Sequence, residues 1–161
     1  MDLTGELDDC HDFGDIFELV KKAVSHSLGK RRVGLMLYLA DLPRNIGAYH
    51  TVGSNAIVVN RSLLRRFSSS IKSLRELNSY VFHLLLHEYL HALGCLDEEE
   101  VRRLVYKVSV ENFGEQHPTS RISSGRLPIF SPGVPIPGED PSGGEVEIVR
   151  DFDRSNQTYI T

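Results

Sequence analysis

Apolar residues recur at helical spacing from Phe13 to Leu28, where Phe13, Ile16, Phe17, Leu19, Val20, Ala23, Val24 and Leu28 mark a face. Gly29 is placed to end that helix. The pattern then changes. After a basic turn, RVGLMLYLADLP is apolar, rich in strand formers and closed by Pro43, which predicts a buried strand. Glycines break NIGAYHTVGSNAIVVN into two short extended pieces, the clearer of them Ala56 to Asn60, and RSLLRRF starts a helical stretch. Ser73 and Glu76 form a Ser-x-x-Glu capping box for a helix expected to reach about Leu93, with Gly94 as its left-handed stop. Asp97 and Glu100 repeat that logic ahead of VRRLVYKVSVENF, whose stripe is Val101, Leu104, Val105 and Val108 and whose end is Gly114.

Beyond His117 the composition shifts. HPTSRISSGRLPIFSPGVPIPGEDPSGG holds most of the prolines, which predicts an extended segment or ordered loop rather than a helix or central strand. EVEIVRDF can return as a strand. The chain thus divides into a domain over residues 1–116 and a Pro/Gly-rich segment, 117–161, packed on it or extending from it. The fold class is α+β: a small mixed sheet of three to four strands, flanked by the N-terminal helix and the histidine-bearing helix.

Composition narrows this picture. With 161 residues, 40% hydrophobic and 25% charged, the chain can build one core without disulfides. A net charge of −4 argues against a nucleic-acid partner, although basic clusters stand at Lys30 to Arg32, Arg61 to Arg66 and Arg102-Arg103. The acidic N-terminus lacks the pattern of a secretory signal, and the apolar run Val81 to Leu93 is too short and too interrupted to span a bilayer. Cys10 and Cys95 alone make no disulfide framework. The expectation is a soluble cytoplasmic protein without membrane contact.

The chemistry lies in HLLLHEYLHALGCLDEEE, residues 83 to 100. Positions four apart share a helix face, so His87 and His91 present two imidazoles to one point. Neutral imidazole suits Zn2+, which in catalytic sites keeps one position for water. Glu88 can reach that water without being a ligand, giving the His-Glu-x-x-His motif whose glutamate is a general base. Shuffling this composition gives the motif in roughly one chain in fifty. Adding Gly94 and an acid or histidine at position 97 lowers the figure to roughly one in three thousand, which favours a metal site.

HEYLHALGCLD resembles the zincin superfamily of metallopeptidases. Its form, His-Glu-x-x-His-x-x-Gly-x-x-Asp, resembles the metzincin signature with Asp where most members have a third histidine, a substitution known in a minority of metzincin-like families. The resemblance implies a zincin-like fold and a zinc-dependent peptidase acting on peptide or protein substrates. His87, His91 and Asp97 would be ligands, Glu88 the base, and Gly94 the turn that brings residue 97 back to the ion. The match spans about eleven residues strongly. Metzincins also have a downstream methionine turn, whereas the methionines here are Met1 and Met36. A small, divergent zincin fits better. In gluzincin-like relatives the third ligand is a glutamate on a following helix, which keeps Glu98, Glu99 and Glu100 open as alternatives, although first-turn acids also serve the helix dipole.

Other residues are weighed in the same light. His83 is expected to support the site or pack in the core. In zincins the strand before the active helix lines the cleft and pairs with substrate, so SNAIVVN is a candidate edge and His50 a candidate transition-state stabiliser, against the commoner outcome of a surface histidine. Cys10 and Cys95 are expected to be idle thiols rather than ligands. Two rival functions stand beside the peptidase. One is a metal-dependent ribonuclease of YbeY type, whose HGxLHLxGxDH motif departs from this chain at Glu88 and Asp97. The other is a zinc-binding regulatory module without turnover.

Overall fold

The computed structural model describes residues 1–70, 73–125, 146–150 and 152–153, the side chains of residues 66–70 excepted. Its first element, α1 (Thr4–Asp8), has no counterpart in the periodicity, because five residues are too few for a period to show. Tertiary contact holds it: Leu3 and Leu7 are buried and the Leu3 amide donates to the Asn112 carbonyl at 2.8 Å. Helix α2 (Phe13–Leu28) starts at Asp12, whose carboxylate accepts from the Asp15 amide, and stops at Gly29 in the left-handed region.

Three strands follow in close succession, β1 (Met36–Ala40), β2 (Ala48–His50) and β3 (Ala56–Asn60). A fourth, β4 (Glu147–Val149), comes from the far end of the chain. The sheet order is β2-β3-β1-β4, with β3 parallel to β1 and the two outer strands antiparallel to their neighbours. The fold is a mixture of helices and one small four-stranded mixed sheet. Leu37, Leu39, Ile57 and Val59 turn inward from it.

Helix α3 (Arg61–Ser70) leaves directly from β3, and α4 (Leu74–Ala92) begins at Ser73, whose hydroxyl accepts from the Glu76 amide. Helix α4 is central. Helices α1 and α2, the later α5 (Glu98–Phe113) and α6 (Pro118–Ser123), and strands β2 and β3 all pack against it. That enclosure explains why its apolar run looks nearly continuous in sequence. Aromatic contacts tie the layers: Phe17 meets Tyr89 edge-on at 5.4 Å and stacks on Phe152 at 4.1 Å. No helix among the described residues is long and apolar enough to cross a membrane.

Helix α6 corrects the expectation that no helix forms beyond His117. Proline is compatible with a first helical turn, where its missing N–H would have no partner anyway, and Pro118 occupies that place behind His117 as N-cap. The last described residues also belong to the same core. Strand β4 completes the sheet, and Asp153 accepts from Lys21 Nζ at 2.8 Å and from the Gly34 and Leu35 amides. The proline-rich stretch 126–145 and residues 154–161 lie outside the described residues.

Asn60 organises the turn that precedes the cleft. Its amide group donates to the carbonyls of Leu42, Pro43 and Ile46, and its oxygen accepts from the amides of Leu42, Ser62 and Leu63. It is 1% exposed, so water cannot replace these bonds. Asn60→Ala is expected to cost about 3 kcal/mol in urea unfolding. Asn60→Asp should be no better, because a carboxylate cannot donate to three carbonyls; near-native stability in either variant would contradict this.

Candidate metal centre

The site is built where α4 stops. His87 and His91 lie one turn apart on its last two turns, with ring centroids 5.1 Å apart. The chain then reverses through Gly94, whose φ of 104° is open to glycine and strained for other residues. The reversal is pinned by the Gly94 amide on the His91 carbonyl and the Cys95 amide on the Leu90 carbonyl. Its second product is the tautomer of His91. The Cys95 carbonyl can only accept, so His91 Nδ1 donates to it at 2.8 Å, leaving Nε2 to face the cleft.

Helix α5 begins three residues later and brings in the third group. Glu98, its first residue, places Oε1 2.6 Å from His91 Nε2 and 3.2 Å from His87 Nε2. These three side chains offer ligand atoms that all lie within 4.8 Å of one another. Asp97, favoured as third ligand from the spacing, is not part of this group. As N-cap it turns back to its own helix, where Oδ1 accepts from the Glu99 amide at 3.1 Å. Glu100 pairs with Arg103, and Glu99 contributes no atom to the group, although it and Glu98 are both exposed.

The sequence narrows the choice of acid without deciding between residues 97 and 98. Extended back from Val101, the apolar stripe meets Glu98 at three positions and Asp97 at four, so both border the buried face. Glu99 and Glu100 fall on other faces. Which of the two turns toward the histidines depends on how α5 docks on α4.

Glu88 is 3% exposed and lies beside the cluster, in the wall of a cleft of about 210 Å³ lined also by Tyr49, His50, Val52, His91, Leu96 and Glu98. Burial, and secondarily the Glu98 carboxylate, pushes its carboxyl up to about 8. Burial works against protonation of His87, while Glu98 favours it; burial wins and its pKa is lowered. For Glu98 itself burial acts upward, but the two histidines prevail and hold its carboxyl below the ordinary value. The centre therefore combines two imidazoles, one carboxylate that favours its charged form, and one enclosed carboxyl that does not.

The remaining candidates separate cleanly. His83, one turn before His87, stands outside the cluster, with Nδ1 enclosed and without a hydrogen-bond partner among the described residues. Burial lowers its pKa to about 3, which keeps the ring neutral. His50 is buried rather than on the surface; it sits in the cleft wall and its Nδ1 donates to the Ala56 carbonyl at 2.9 Å. The sheet edge at the cleft is β2. The candidate edge SNAIVVN, residues 54–60, contains the inner strand β3, with β2 paired over it. Cys10 is packed in the core, its thiol donating to the Glu6 carbonyl and pushed by burial up to about 12. Cys95 meets the site through its carbonyl.

Comparison with known proteins finds no matching family model, no matching curated protein and no matching solved structure. The functional reading therefore rests on the residues and their geometry.

Proposed function

We propose that this chain is a zinc-dependent peptidase with a zincin-like arrangement of sheet and metal helix. Its third ligand, Glu98 on the following helix, is gluzincin-like rather than metzincin-like. One observation carries the reading: His87, His91 and Glu98 converge on one point, and His91 and Glu98 line a cleft that also holds the buried carboxyl of Glu88.

The donor set suits the ion. Zinc is held by imidazole nitrogen at about 2.0–2.1 Å and carboxylate oxygen at about 2.0–2.2 Å, so tetrahedral ligand atoms stand about 3.3 Å apart. The separations from Glu98, 2.6 and 3.2 Å, need to open by no more than several tenths of an ångström. When bound, zinc supplies Lewis acidity, polarising a carbonyl and making water a stronger acid. The chain supplies the rest. Glu88 takes the proton of the attacking water and hands it to the departing amine nitrogen. The enclosure of Glu88 keeps bulk water from competing for that proton.

Strand β2 supports a peptide as substrate. It is the outer strand of the sheet on the cleft side, paired on one edge with β3, so its other edge can pair with an extended main chain. A cytoplasmic setting remains part of this proposal. The test is direct: the purified chain should carry about one zinc per molecule by elemental analysis and cleave an unfolded protein or a quenched fluorescent peptide library. A chelator should stop cleavage and added zinc restore it. Cleavage of RNA with no peptide hydrolysis would replace this reading with the ribonuclease one.

A further inference from the structure

The guanidinium of Arg32, far from the site in sequence, bridges the end of α4 and the link between β2 and β3, two segments that carry cleft-lining residues. Nη1 donates to the Ala92 carbonyl at 2.6 Å, in the last turn of α4 and directly after His91. Nη2 donates to the Ser54 carbonyl at 3.1 Å and to Asn55 Oδ1 at 2.8 Å, both on the link between β2 and β3. The main chain of Arg32 is itself anchored on α4. Its amide donates to Tyr89 Oη at 2.9 Å, and the Tyr89 hydroxyl donates to the Arg32 carbonyl at 3.3 Å. Tyr89 is fully buried, so this anchor cannot drift.

The β2–β3 link is a bonded unit. The Ser54 amide and hydroxyl both donate to the Thr51 carbonyl, and Ser54 Oγ accepts from the Ala56 amide. His50 Nδ1 closes over it onto the Ala56 carbonyl. A grip on Ser54 and Asn55 is therefore a grip on the segment that carries His50 and Val52, which line the cleft together with Glu88 and His91.

We propose that Arg32 is a positioning residue: it ties the β2–β3 link to the C-terminal turn of α4 and so sets the separation of the cleft walls. The chemistry calls for arginine. Its planar fork reaches acceptors on both segments at once, and a cation is favoured at a helix C-terminus. A lysine ammonium is a point charge and cannot span the same set. The consequence for substrate binding rests on the peptidase reading, whereas the tie itself can be measured without it.

The experiment compares wild type, Arg32→Gln and Asn55→Ala, each loaded with zinc. Amide hydrogen exchange in residues 51–55 is expected to accelerate at least about tenfold in Arg32→Gln and less in Asn55→Ala, with the interior of α4 unchanged. Zinc affinity should stay within about threefold, because the ligands lie on α4 and α5. On a peptide substrate KM should rise about tenfold with a smaller fall in kcat, and added guanidinium at tens of millimolar should recover part of the loss in Arg32→Gln. Unchanged exchange in 51–55 overturns the tie. Faster exchange with unaltered KM, or a loss of zinc affinity that accounts for the loss of activity, overturns the positioning role. If wild type cleaves no peptide, the peptidase reading fails, and the exchange measurement still decides the tie.

Discussion

Glu88→Gln is expected to lower kcat/KM for peptide hydrolysis by roughly 10³-fold while zinc affinity is retained. The amide keeps the volume and the hydrogen-bonding oxygen of a side chain that is 3% exposed, so the cleft need not repack. What it cannot do is accept a proton and return it. Activity within tenfold of wild type would remove Glu88 from the mechanism.

A second measurement on the same variant reads its environment without any substrate. In the metal-free protein the folded carboxyl titrates at about 8, above its ordinary 4.5. Between those values the folded state holds a proton that the unfolded state has released. Stability contributed by this group is therefore fully present below about 4.5 and is lost as pH rises through 8. Glutamine has no such loss. With chelator present, Glu88→Gln should gain on wild type from pH 5 to pH 8, by on the order of 3 kcal/mol at the upper end in urea unfolding. A constant difference across that range would show that the carboxyl is not enclosed in this way.

The second large effect separates two adjacent acids. Glu98→Ala should weaken zinc binding by more than about 100-fold, because loss of an outer-shell partner alone typically costs 10–100-fold and Glu98 supplies a ligand atom. Asp97→Ala should lower stability by about 1 kcal/mol through the lost cap and change zinc affinity only a few-fold. Asp97→Asn keeps a capping oxygen and should recover that stability. Competition with a chromophoric chelator measures both affinities. If Asp97→Ala behaves as predicted for Glu98→Ala, the third ligand is Asp97 and the start of α5 must turn in the loaded protein.

Local sequence carried much of this molecule. Helices α2, α4 and α5 start and stop at their caps, Asp12, Ser73 and Asp97 at one end and Gly29 and Gly114 among the other, because side-chain-to-backbone bonds and left-handed glycines act within a few residues. The pairing of His87 with His91 and the neighbouring place of Glu88 follow from helix geometry in the same way. Helix α6 was legible in principle, since Pro118 behind His117 is a start signal; weight given to proline as a breaker concealed it.

Other features depend on which surfaces meet. Which acid joins the histidines depends on how the valine stripe of α5 docks on α4, and the motif spacing says nothing of that docking. Whether β2 or β3 forms the cleft edge depends on pairing between strands, and both are short extended pieces in sequence. The six bonds of Asn60 and the bridge of Arg32 join backbone groups whose proximity exists only once the chain has closed. By itself, then, the sequence determined helices α2, α4 and α5 and the two-histidine motif, because those are interactions within a turn or two. The tertiary structure alone decided that Glu98 meets the histidines, that β2 borders them, and that Arg32 ties the β2–β3 link to the end of α4, because burial and hydrogen bonding between distant segments select one arrangement among several that local rules allow.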